Sequence, residues 1–171
     1  MKIKELLEEK SKKGTYSGAR FSKKTVDALV AFCKEHKIPK AIDGDHLHTT
    51  ILFSRKFLPD YKAAGKYDEM IVAKPKQWNV WKTSPSDPNA EKTNCLVLET
   101  NCPALVERHK ELMDEHGGTY DYDEYKTHLT LSYDIGDFDV KDLPLFDQDI
   151  EIEEEYQEDL NLDWAAGKGK R

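Results

Sequence analysis

The sequence predicts an α+β fold in which two similar lobes of antiparallel sheet, with helices outside, enclose a central cleft. Two observations predict it. The pattern His48-Thr49-Thr50-Ile51 returns as His128-Leu129-Thr130-Leu131, each time inside an apolar, β-branched run. A segment with helical spacing of apolar residues precedes each run, at 22–37 and at 103–116, and strand-like runs outnumber helical ones. The 171 residues suffice for one core, so the whole chain, 1–171, reads as a single domain.

Taken in order, residues 3–12 read as a short charged helix, and Gly14-Thr15-Tyr16-Ser17-Gly18 as a loop. Ser22 opens a helix that carries Val26, Leu29, Val30 and Cys33 at helical spacing, and Ile38-Pro39 ends it. A strand follows around Leu47–Phe53. Beyond Pro59 and Gly65, strands are expected near Met70–Ala73 and Trp78–Lys82. Next come a turn-rich insertion, Ser84-Pro85-Ser86-Asp87-Pro88-Asn89, and a strand at Cys95–Glu99. Pro103 suits a first helical turn; that helix sets Leu105, Val106, His109, Leu112 and Met113 on one side and stops at Gly117-Gly118. The second motif strand spans Thr127–Tyr133. A last strand near Asp149–Glu155 precedes a Lys/Gly tail at 167–171 that reads as disordered.

Charge and composition narrow the partners. Residues 134–163 carry thirteen acids and one base, whereas residues 1–24 carry eight bases and three acids. No extended basic stripe is present, which disfavours a long nucleic acid and suits a small phosphorylated ligand. No apolar run approaches a membrane span, and the charged start is unlike a secretory signal, so a cytoplasmic protein is expected. Three cysteines, Cys33, Cys95 and Cys102, are an odd number at core-like positions and point to a reducing compartment without a disulfide framework.

The motifs carry chemistry because strand side chains alternate. His48 and Thr50 project from one face of their strand, as do His128 and Thr130 from theirs. Side by side, such strands offer two imidazoles and two hydroxyls. One imidazole takes a proton, the other gives one, and the hydroxyls hold phosphate oxygens, with neither metal nor cofactor. A single strand histidine is ordinarily a surface or satisfied residue; two copies at matched offsets after matched helices argue otherwise. His46 raises a His-x-His metal site, but no Cys-x-x-Cys or His-x-x-x-His partner accompanies it. Trp78 and Trp81, three residues apart in one strand-like run, point to opposite faces.

Paired H-x-[ST] strands after helices resemble the 2H phosphoesterase superfamily. The blocks Tyr16-Ser17-Gly18-Ala19-Arg20-Phe21, Leu47-His48-Thr49-Thr50, Val80-Trp81-Lys82-Thr83, Thr93-Asn94-Cys95-Leu96-Val97-Leu98 and His128-Leu129-Thr130-Leu131-Ser132-Tyr133-Asp134 are similar to the phage anti-CBASS nucleases. The likeness spans nearly the whole chain, with 84–92 and the basic N-terminal extension as departures.

This resemblance implies a metal-independent phosphodiesterase that cleaves 3′–5′ bonds of cyclic di- or trinucleotide signals, of the 3′,3′-cGAMP type, in the cytoplasm of an infected bacterium. It assigns acid–base roles to His48 and His128, phosphate contacts to Thr50 and Thr130, and base stacking, which needs flat apolar surface, to Tyr16 and Trp81, with Tyr120 a further candidate for the same wall. It also implies a C-terminal lid, about 156–171, in which Glu158 meets base amino groups or ribose hydroxyls and Trp164 touches the ligand or docks the terminus. A non-catalytic sponge for cyclic nucleotides and an RNA-end 2′,3′-cyclic phosphodiesterase stand as alternatives.

Overall fold

Ser22 closes a strand and opens a helix. Its Oγ accepts from the Thr25 amide at 3.2 Å, the side-chain cap that a helix start needs. In the computed structural model, which describes residues 13–83 and 89–161, that helix is α1 (Lys23–Glu35), and it follows β1 (Lys13–Phe21). Then come β2 (Thr49–Ser54), β3 (Gly65–Lys82), β4 (Asn94–Asn101), α2 (Pro103–Asp114), β5 (His128–Ser132) and β6 (Ile150–Asn161). These six strands are antiparallel and close on themselves in the order β1-β2-β5-β4-β3-β6. The α+β class expected from the sequence is what the chain adopts. The predicted helix at 3–12, most of the 84–89 insertion, Trp164 and the 167–171 tail lie outside the described residues.

One face of the closed sheet packs against the helices. Leu29 of α1 and Leu105 and Leu112 of α2 join Ile51, Leu52, Leu96, Leu98, Leu129, Leu131 and Ile152 in one core, all of them without solvent exposure or nearly so. Each such side chain contributes about 1.5–3 kcal/mol when fully buried. A six-stranded barrel has no room for a helix inside it. The helix-covered face is therefore the outer one, and the helix-free face is concave.

Four expectations need correction. Gly14–Gly18 is no loop: both glycines lie within β1, where they permit close approach rather than a turn. A Cβ on Gly14 would fall 2.1 Å from the Ser54 carbonyl oxygen, and one on Gly18 would fall 2.7 Å from the Tyr156 ring. The strands expected at 70–73 and 78–82 are parts of the single strand β3. Its ladder with β4 shifts register between Pro75 and Gln77, and this irregularity admits a proline that has no N–H to donate. On α2, Val106 is exposed, while Leu105, His109 and Leu112 form the buried stripe. The final strand also outruns its expected end, taking residues 156–161 of the expected lid into β6.

Cys33, Cys95 and Cys102 are buried free thiols. No helix among the described residues is long and apolar enough to cross a membrane.

Candidate active site

The site follows from one backbone register. Thr49 of β2 pairs with Leu129 of β5, and both side chains enter the core. Their neighbours must then turn to the concave face. Stepping one residue either way in an antiparallel pair sets His48 across from Thr130 and Thr50 across from His128. The two motifs form a pseudo-twofold quartet of alternating imidazoles and hydroxyls. A bulge in β2 completes the placement: Ser17 pairs with Leu52 but Gly18 with Thr50, so Ile51 is the extra residue. Ile51 and Leu52 both turn to the core, while Thr50 and Phe53 both stay on the concave face.

The imidazoles are held alike. His48 Nδ1 lies 2.8 Å from the carbonyl oxygen of His46, and His128 Nδ1 lies 2.7 Å from that of Lys126. A carbonyl oxygen only accepts, so each Nδ1 carries the proton and each Nε2 lies outside this bond. His46 thus enters the site through its backbone. Its ring sits in the exposed 3-10 turn Gly44–His46. Burial lowers the pKa of His128, and the charge of His48 lowers it further, against the raising effects of the Lys126 carbonyl and Glu99.

On the β5 side, Trp81 of β3 stands edge-on to His128, with ring centroids 4.7 Å apart. From this pair a cleft of about 550 Å3 opens, lined by the rings of Trp81, Tyr120, Tyr122 and His128 and by the charged Lys82, Lys126 and Glu124. Tyr120 belongs to this wall and is fixed by the His109 ring at 4.7 Å. Trp78 faces the other way, stacked on Phe32 of α1 at 5.5 Å and donating to the Pro144 carbonyl. The two tryptophans therefore divide between core and site as the strand period requires.

On the β1 side, Tyr16 Oη lies 2.9 Å from Thr50 Oγ1. The Tyr16 ring is near His48 at 6.2 Å and Tyr156 at 6.0 Å. Glu158 pairs with Tyr16 and Tyr156 with Gly18, so both β6 side chains share the concave face with Tyr16. Glu158 is exposed at its edge.

Sequence reasoning missed two neighbours of the quartet. Tyr156 reaches the site only because Gly18 lies beneath it. Glu99, 5% exposed, is the cross-strand partner of His128 on β4. Burial would raise its pKa, but hydrogen bonds from Asn79 and Lys76 hold it below the usual carboxylate range. Lys76 Nζ is 3.0 Å away and Asn79 Nδ2 is 2.8 Å away. An acid ending an otherwise apolar strand was the available signal. Among the described residues, no group of three His, Cys, Asp or Glu is arranged to hold a metal ion.

The fold and site define a class: a small α+β protein whose closed antiparallel sheet holds a paired His-x-Thr quartet beside an aromatic cleft. The chain belongs to the family described as Anti-CBASS protein Acb1, whose family model matches residues 13–167. It is 34% identical over 166 residues to the Anti-CBASS protein Acb1 of Vibrio phage KVP40, covering 97% of this chain and 98% of that one. The Enterobacteria phage T4 protein of the same name is 32% identical over 157 residues, covering 89% and 91%. That of Yersinia phage phiR1-RT is 30% identical over 159 residues, covering 92% and 95%.

Proposed function

We propose that this protein counteracts CBASS defence by cleaving 3′–5′ bonds of cyclic di- or trinucleotide signals in the cytoplasm of the infected host, without a metal. The observation that carries the reading is the quartet itself, two imidazoles and two hydroxyls on one concave surface, fixed by the Thr49–Leu129 register. Family membership supplies the physiological setting.

In such a linkage the ribose 2′-hydroxyl already lies beside phosphorus. One Nε2 takes the 2′-hydroxyl proton as O2′ bonds to phosphorus. The other, protonated, gives its proton to O5′ as the P–O5′ bond breaks. Thr50 and Thr130 donate to the non-bridging oxygens while charge builds there. The product is a linear oligonucleotide ending in a 2′,3′-cyclic phosphate, which the same imidazoles in exchanged roles open to a monophosphate. Trp81 and Tyr16 offer ring surface to bases, Tyr120 extends that wall, and Glu158 meets base or ribose donors at the rim. Lys82 and Lys126 lend positive charge to the cleft that receives the rest of the ring. The short β2–β5 ladder supports reading the barrel as two lobes that meet at the quartet, in the manner of 2H phosphoesterases.

The test is incubation of the purified protein, in EDTA, with a panel of 3′,3′-linked and 2′,3′-linked cyclic nucleotides, followed by mass analysis. Linear products are expected. Recovery of intact ligand after denaturation would instead identify a sponge. Turnover confined to RNA ends bearing 2′,3′-cyclic phosphate would identify an RNA-end enzyme.

A further inference from the structure

We propose that the Tyr16 hydroxyl is a positioning group for Thr50: it donates to Thr50 Oγ1 and leaves the Thr50 proton free for the ligand phosphate. The inference deepens the phosphodiesterase reading and rests on it.

The quartet is symmetric in backbone but not in hydroxyl partners. Thr50 Oγ1 is 2.9 Å from Tyr16 Oη, whereas no side chain among the described residues hydrogen-bonds Thr130. A hydroxyl has one proton and two acceptor sites. If Thr50 donated to Tyr16, that proton would be spent and Thr50 would present only lone pairs to an anionic phosphate, which is repulsive. If Tyr16 donates, Thr50 keeps its proton for the phosphate.

Burial raises the pKa of the Tyr16 phenol, so it keeps the proton it must donate. The Tyr156 ring packs beside it, with centroids 6.0 Å apart.

The Tyr16 ring and its neighbour are also built to stay in place. The Tyr16 ring is set edge-on to His48 and to Phe53, with centroids at 6.2 and 6.3 Å. The Tyr156 ring lies directly over Gly18, where any Cβ would collide with it, and the Arg20 guanidinium covers it at 4.0 Å.

The experiment is steady-state kinetics on a cyclic dinucleotide that the wild-type protein turns over, using Tyr16→Phe, Thr50→Val and the Tyr16→Phe/Thr50→Val double variant, each checked for an unchanged Tm. Tyr16→Phe keeps the ring, so KM is expected to hold while kcat falls about tenfold, one hydrogen bond's worth. In the Thr50→Val background the same change is expected to cost nothing more. Unchanged kcat in Tyr16→Phe, or effects of Tyr16→Phe and Thr50→Val that simply multiply, would overturn the relay while leaving the enzyme reading intact. A wild-type protein that turns over nothing overturns the enzyme reading first, and the relay with it.

Discussion

Thr49 pairs with Leu129, and through that pairing His48 comes to face Thr130 while Thr50 faces His128. Removing either imidazole is expected to lower turnover of a cyclic dinucleotide by about 10²–10⁴-fold, because each handles one of the two protons. Thr50→Val and Thr130→Val keep the β-branch that suits a strand and are each expected to lower kcat by about 100-fold with little effect on Tm. Undiminished kcat in His48→Ala or His128→Ala, read by product mass analysis, would remove the acid–base assignment.

Trp81 makes a T-shaped contact with His128 and lines one wall of the cleft. Stacking is worth roughly 1–3 kcal/mol per base, and Trp81→Ala should weaken ligand binding by about 5–150-fold. Trp81→Phe should recover part of the loss. Isothermal titration with a cyclic dinucleotide on the His48→Ala background, where turnover is blocked, measures both. Equal affinity in all three proteins would make Trp81 a packing residue.

Burial, opposed by the Lys126 carbonyl and Glu99, sets His128 below the usual histidine value of about 6.5. It is therefore neutral in the free protein at pH 7. Glu99→Gln removes a charge that favours imidazolium, so the His128 titration seen by NMR should move to still lower pH. The sign for folding follows. A depressed folded-state pKa gives stability that is present above about 6.5 and lost as pH falls through the folded value. His109, lowered by burial against the Ile51 carbonyl's hydrogen bond, acts in the same direction. Urea midpoints should fall between pH 7 and pH 5.5; a flat profile there would contradict both shifts.

Glu155 lies on the core face of β6, 1% exposed, and is held by Arg108 of α2 through Nε at 2.9 Å and Nη2 at 2.8 Å. Tyr61 Oη and the Ala64 amide also donate to it, at 2.8 and 3.0 Å. Burial acts to raise the Glu155 pKa, and these bonds hold it below the carboxylate range instead. Arg108→Met leaves a buried charge without its counter-ion and should cost about 3 kcal/mol, the low end for a broken buried pair because Arg108 is partly exposed. Glu155→Gln should cost less. Thermal melts compare them, and an unchanged Tm for Arg108→Met would show that the pair contributes nothing.

Local pattern made much of this legible. The period of two put His48 with Thr50 and His128 with Thr130, and it separated Trp78 from Trp81. Helical spacing and the Ser22 cap located α1, and Pro103 located the start of α2. It failed at Gly14–Gly18, because a glycine that admits a neighbouring carbonyl or ring leaves the same local signature as a glycine in a turn. It failed again at 65–82, because whether Pro75 interrupts a strand depends on the register shift beside it.

By itself, then, the sequence determined which residues share a face of their own strand and which stretches coil into helices, since both follow from periodicities within a few residues. Tertiary structure alone decided that the two motif strands lie adjacent, that Glu99 backs His128, and that Tyr156 settles over Gly18 to reach Tyr16. Those are cross-strand relationships between residues up to 140 positions apart, Tyr16 and Tyr156. They are fixed by ladder register and sheet closure, in which every strand constrains every other, and no local window of the chain contains that information.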